Sequence, residues 1–189
     1  MNREVVLIRH GQTEWSKNGR HTSITDLPLL PEGETAAQRL RPYLEDRHFS
    51  EVFSSPRTRA VTTARLAIPG HEPEILEDLA EWDYGDYEGR TSVEIREGRP
   101  DWDLWTHGAP GGESPVETTA RVDRACKRLH QAEGDIVVFA HGHILRALAV
   151  RWLGLDIAIG RSLLLETATI SILDVEHGNS VLRRWNAAP

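Results

Sequence analysis

The chain has 189 residues, 39% of them hydrophobic and 27% charged, with a formal charge of −7 and a single cysteine. That length fits one domain spanning 1–189, and lone Cys126 excludes an intrachain disulfide or a cysteine-built zinc site. The acidic balance excludes nucleic acid or an anionic membrane as the main partner, and no apolar run reaches the length of a signal-peptide core or a membrane span, so a soluble cytoplasmic protein is expected.

Residues 4–8, "EVVLI", read as a buried strand because apolar and β-branched residues run on without alternation. In "PEGETAAQRLRPYLEDR" Ala36, Ala37, Leu40 and Leu44 share one helical face, with Pro42 predicting a kink or an early end. "EVFSS" (51–55) is a weaker strand. Residues 69–113 are rich in Gly, Pro, Trp and Asp without a sustained period, and read as loops and short helices covering one edge. A helix then begins at Ser114, with Pro115 at its first position and Glu117 completing a capping box. Val116, Thr119, Val122, Cys126 and Leu129 form its apolar stripe, and Gly134 ends it. "DIVVFA" (135–140) is another buried strand, 143–154 a helix closed by Gly154, and "TISILDV", "HGNS", "VLRRW" a terminal hairpin. The alternation predicts a layered α/β domain with a largely parallel sheet.

Ligands of such sheets bind beyond the carboxyl ends of the strands. Three of those ends carry basic residues: Arg9-His10-Gly11, then Arg57 and Arg59 after Ser54-Ser55-Pro56, then His141-Gly142-His143. If the strands are neighbours, these groups build a basic pocket in an acidic protein, suited to phosphate, whose oxygens match arginine donors. Taken singly the signals are weak. Arg-His-Gly is a common tripeptide, His141 with His143 is also compatible with a metal pair, and either arginine is compatible with a solvated helix start. No third ligand stands at metal-site spacing. Twenty of the 22 basic residues are arginine, a bias that genome composition alone can produce.

The ordered motifs "LIRHGQTEW", "FSSPRTRAVTTA", "LAEWDYGDYEG", "GGES" and "FAHGH" resemble the histidine phosphatase superfamily, which includes cofactor-dependent phosphoglycerate mutases and many phosphatases. The pattern is most similar to its acid phosphatase and sedoheptulose-bisphosphatase-like members. The resemblance implies a three-layer α/β/α fold of phosphoglycerate-mutase type. It implies His10 as the nucleophile that becomes phosphorylated, Glu81 as proton donor, Arg9 and Arg59 as phosphate ligands, and His141 as a contact of the transferring phosphoryl group. No metal and no cofactor are implied. Gly142 would let backbone approach phosphate. Arg57 stands where the family has leucine, and could meet a second anionic group. Ser16 replaces a mutase asparagine, and the covering segment is shorter, which favours hydrolysis. Thr22 and Ser23 align with substrate contacts, and His21, Trp82, Tyr84, Trp105, His107 and His143 are candidates for the pocket rim. The expected function is hydrolysis of small phosphorylated metabolites such as sugar phosphates or bisphosphates. The alternatives are a phosphoglycerate mutase and a non-catalytic phospho-ligand module; a homodimer stays open.

Overall fold

The computed structural model describes residues 3–189. In chain order the elements are β1 (Val5–Arg9), α1 (Glu14–Asn18), α2 (Pro31–Gln38), α3 (Arg41–Leu44), β2 (Glu51–Ser54), α4 (Thr58–Ala67) and β3 (Glu74–Ile75). After these come α5 (Ser92–Gly98), α6 (Leu104–His107), α7 (Pro115–Gln131), β4 (Ile136–Ala140), α8 (Gly142–Trp152), β5 (Ile170–Glu176) and β6 (Asn179–Ala187). The strands form one sheet in the order β3-β2-β4-β1-β5-β6. β3, β2, β4 and β1 run parallel, and the terminal hairpin adds β5 and β6 antiparallel.

Both faces of the sheet are covered, which is why β1 and β4 show no polar alternation. Val5 and Leu7 point to the side packed by α7 and α8, with Val122, Leu129, Ile144 and Leu148. Val6 and Ile8 point to the opposite side, with Leu40, Leu44, Ala64 and Ala67 of the α2 to α4 layer. The result is the three-layer α/β/α arrangement. Among the described residues no helix is long and apolar enough to cross a membrane.

Several local expectations need correction. Of the two outcomes read at Pro42, the early end is the one observed, and there is no kinked long helix: α2 stops at Gln38, and α3 opens with Pro42 in its first turn, where a missing N–H costs nothing. The capping box of Ser114 and Glu117 forms as read, but Val116 is 78% exposed, and Thr118 and Ala125 take part in the buried stripe instead. Helix α7 stops at Gln131, before Gly134. Arg57 is the N-cap of α4 and not a helical residue. Segment 69–113 is more than a cover. It adds the edge strand β3 and sends Leu79, Trp82, Tyr84, Trp102 and Trp105 into the core.

Candidate active site

Register explains why the strand ends converge. Arg9 lies opposite Ala140 in the parallel β1/β4 pair, and Ser54 opposite Phe139 in β2/β4. The next residue on each strand continues the ladder once more: His10 N–H donates to Ala140 O and Ser55 N–H to Phe139 O, both at 2.9 Å. His10, Ser55 and His141 therefore leave the sheet side by side. Gly11 follows because a side chain there would collide with the Gly33 carbonyl, at 2.4 Å from an ideal Cβ.

His10 is buried, yet its neighbours are polar. Its Nδ1 lies 2.7 Å from the Gly11 carbonyl. A carbonyl only accepts, so Nδ1 carries the proton and Nε2 keeps its lone pair. Burial pushes the imidazole well below the ordinary histidine range, and the charges of Arg9 and Arg59 push it further. The ring of His141 stands 5.0 Å away, edge to face. Arg59, fully buried, donates from Nε to His141 Nδ1 at 3.2 Å, which fixes the His141 proton on Nε2, where it meets Ser55 Oγ at 2.6 Å. Burial and the Arg59 charge hold His141 neutral too. The other Arg59 nitrogens bind the carbonyls of Thr25, Thr22 and Ser23.

Arg9 donates from Nη1 to Leu165 O at 2.6 Å, while its Nε is buried without a partner. Gly142 permits this placement, since a Cβ would stand 3.3 Å from the guanidinium carbon. Opposite it, Glu81 caps the N-terminus of α8. Oε1 accepts N–H from Trp82 and Ile144, both at 2.9 Å, and Oε2 accepts from His143 N–H at 3.1 Å. Oε1 thus holds two donors and Oε2 one. The Glu81 loop is tied to α7 by Arg121, which donates to the carbonyls of Asp78 and Ala80 and pairs with Glu113 at 2.6 Å. Together these groups border a cavity of ≈ 240 Å³ lined by Arg9, His10, Glu81, Tyr84, Gly142 and Arg146, among others. Glu81 is its single acidic wall residue, so the chamber is basic although the chain carries −7. Among the described residues no group of three or more His, Cys, Asp or Glu side chains is placed to hold a metal ion.

Residues 5–188 match the family described as "Histidine phosphatase superfamily (branch 1)". The chain belongs to this superfamily. This histidine phosphatase is 42% identical over 182 residues to an acid phosphatase of Mycobacterium tuberculosis, covering 94% of this chain and 89% of the relative. It is 39% identical over 184 residues to sedoheptulose 1,7-bisphosphatase of Saccharomyces cerevisiae, covering 80% of this chain and 68% of the relative. The solved structure of an open reading frame from Mycobacterium tuberculosis superposes with a TM-score of 0.93 at 40% identity, covering 100% of this chain and 99% of that one. Membership and these phosphatase relatives make the chain an enzyme that hydrolyses phosphate esters.

The other candidate residues divide. Ser16, His21 and Thr22 line the cavity, as do Tyr84 and His143, whose hydroxyl and Nδ1 lie 2.7 Å apart. Burial keeps the Tyr84 phenol protonated and His143 neutral. Ser23 does not line it: its hydroxyl bonds Glu88, and its carbonyl helps hold Arg59. Trp82 is fully buried core, its indole N–H donating to Glu113 O, and so is no rim residue. Trp105 is nearly buried and borders an adjoining cavity, whereas His107 bonds back to its own helix start at Asp103. Arg57 lies outside the chamber wall with its Nε buried and unpartnered, close enough for its charge to lower His141. His141 and Arg59 sit one layer behind His10. Sequence reasoning missed Ser55, Glu88, Arg121, Glu113 and Arg146. Glu88, Glu113 and Ser55 lay inside motifs already singled out, so their presence was the available signal; Arg146, in mid-helix, offered none.

Proposed function

We propose that this histidine phosphatase hydrolyses phosphomonoesters of small metabolites through a phosphohistidine on His10, with Glu81 as the proton donor and acceptor. The observation that carries the reading is the His10 Nδ1–H bond to Gly11 O, which leaves Nε2 as a neutral nucleophile in a chamber walled by Arg9. Nε2 attacks phosphorus, the P–O ester bond breaks, and the leaving oxygen takes a proton from Glu81 Oε2, the carboxyl oxygen with the single backbone donor. Water then attacks the phosphohistidine and gives its proton back to Glu81. The P–N bond breaks, and orthophosphate and neutral His10 result.

Arg9 offsets charge on the transferring phosphoryl oxygens directly, through the guanidinium edge that carries no protein partner. Arg59, whose nitrogens bind His141 and loop carbonyls, acts mainly by fixed charge and by holding His141 and the 22–25 loop in place. His141 donates to Ser55, and reaches a phosphoryl oxygen only if that bond is exchanged. Sugar phosphates are the substrate class favoured by the basic chamber and by the bisphosphatase relative. Hydrolysis of p-nitrophenyl phosphate in EDTA, inhibited by vanadate and abolished in His10→Ala, is the expected result. Full activity in that variant contradicts the proposal. Exchange between 3- and 2-phosphoglycerate that outpaces phosphate release, and depends on added 2,3-bisphosphoglycerate, would identify a mutase instead.

A further inference from the structure

Beyond the last ladder bond, from His10 N–H to Ala140 O, the chain turns off β1, and the next amide, that of Gly11, has no strand to pair with. A buried N–H without an acceptor is costly, and glycine, lacking a Cβ, swings easily to find one. Here the acceptor comes from another layer. Gly11 N–H donates at 3.0 Å to the hydroxyl of Thr63, a fully buried residue in the middle of α4. The hydroxyl proton is committed to Arg59 O at 2.7 Å, a carbonyl that only accepts, so Oγ1 turns a lone pair to Gly11.

A helical threonine that donates back to the carbonyl four residues earlier is ordinary, and Thr35, Thr118 and Thr119 do so too. Among the described residues, none of those three takes an N–H from a second element. Thr63 does, and the N–H it takes belongs to the residue whose carbonyl holds His10 Nδ1 at 2.7 Å. The next peptide, Gly11–Gln12, is held from the α2 side: an ideal Cβ on Gly33 would stand 2.3 Å from Gln12 O, and that oxygen accepts from Leu30 N–H at 2.8 Å. Both peptides flanking the Gly11 Cα are therefore fixed, one by a single hydroxyl of α4 and the other by close backbone packing.

We propose that Thr63 is a positioning residue for the reaction: by fixing the His10–Gly11 peptide it keeps the Gly11 carbonyl on His10 Nδ1, and so keeps the attacking Nε2 unprotonated and aimed into the chamber. It touches neither substrate nor the reacting atoms, and it lies outside the chamber wall. The assignment rests on the reading of His10 as the nucleophile. Without the Thr63 acceptor the Gly11 N–H is left buried and unpaired, the peptide rotates toward another acceptor, and the carbonyl leaves Nδ1. The imidazole proton is then free to sit on Nε2, the form that cannot attack. Helix α4 thus serves His10 twice, through the charge of Arg59 and through the hydroxyl of Thr63.

The test compares Thr63→Val, which keeps the shape of the side chain and removes the hydroxyl, with Thr63→Ser, which keeps the hydroxyl, on p-nitrophenyl phosphate. Thr63→Val is expected to lose about 10- to 10²-fold in kcat, the scale of a misplaced reacting group, with KM within about threefold because no chamber wall changes; Thr63→Ser should stay within about threefold of wild type in both. The readout that a merely structural role would not move is the His10 tautomer, read from side-chain nitrogen chemical shifts in labelled protein and assigned by the signal missing in His10→Ala. Wild type and Thr63→Ser should show His10 as Nδ1–H, and Thr63→Val a shift of that population toward Nε2–H. Should Thr63→Val not fold, Thr63→Ala carries the same two expectations, and the wild-type chain supplies its own: a Gly11 amide as strongly protected from hydrogen exchange as those of β1. Unchanged kcat in Thr63→Val or Thr63→Ala, an equal loss in Thr63→Ser, an unshifted tautomer, or a fast-exchanging Gly11 amide in wild type each overturns the role of Thr63 and leaves the phosphatase reading intact. Full activity in His10→Ala overturns the reading of His10, and the role of Thr63 with it.

Discussion

Lowering the pH from 7.5 to 5 probes how His10 is kept nucleophilic. A histidine with the ordinary pKa of about 6.5 is only about 3% neutral at pH 5, so a rate set by that fraction would fall about 30-fold. His10 is different in kind. It is buried, and a third positive charge beside Arg9 and Arg59 is opposed by desolvation first and by those two fixed charges next, with the Gly11 carbonyl giving only partial relief. With its pKa held well below that range, His10 keeps its neutral form to lower pH than an ordinary histidine, and kcat/KM should fall by much less than about 30-fold. The assay is kcat/KM for p-nitrophenyl phosphate across pH 4.5 to 8 at constant ionic strength, corrected for the second ionisation of the substrate. A corrected value that drops tenfold per pH unit below 6.5 would refute the reasoning, because His10 would then titrate as an exposed histidine does.

Two further outcomes follow from the same geometry. Glu81→Gln removes the proton donor but keeps an oxygen for the α8 N-terminus, so hydrolysis of an alkyl phosphate should fall by about 10²- to 10⁴-fold while p-nitrophenyl phosphate, whose leaving group needs no proton, falls far less; equal losses on both would contradict the assignment. Burial lowers His21 to about 4, with Glu88 partly offsetting and Arg96 adding to the effect. The folded state then binds fewer protons than the unfolded chain below about pH 6.5, so the stability tied to this residue is complete above that pH and is lost as pH falls toward 4. At pH 5 the loss amounts to about 2 kcal/mol. His21→Gln should shrink the difference in urea-unfolding free energy between pH 8 and pH 5 by about that amount, and an undiminished difference would show that His21 is not held neutral.

How much of this was legible in the sequence depends on the range of the interactions involved. β1 and β4 were legible because a strand buried on both faces has no polar alternation to confuse it, and the site followed because ligands of parallel sheets gather where such strands end. Helix α7 carried its own start signal in Ser114, Pro115 and Glu117. The failures are long-range. Val116 has the right spacing for the stripe, but it falls in the first turn, beyond the reach of the sheet. Trp82 stands in an aperiodic loop, and whether such a loop dives into the core is decided by partners such as Glu113 and Arg121, thirty or more residues away. Ser23 carries the substrate-contact pattern, yet its hydroxyl is captured by Glu88, which no local rule connects to it. Arg146 reads as one more arginine on an arginine-rich helix until α6 and the 157–162 turn are packed against it.

The most direct measurement is a single turnover quenched in base with a phosphate-labelled substrate, followed by peptide mapping. The mechanism predicts a base-stable, acid-labile phosphoryl group on His10 that forms and decays at rates compatible with kcat, is absent in His10→Ala, and persists longer in Glu81→Gln. Turnover without labelled protein, or label on any residue other than His10, would contradict it.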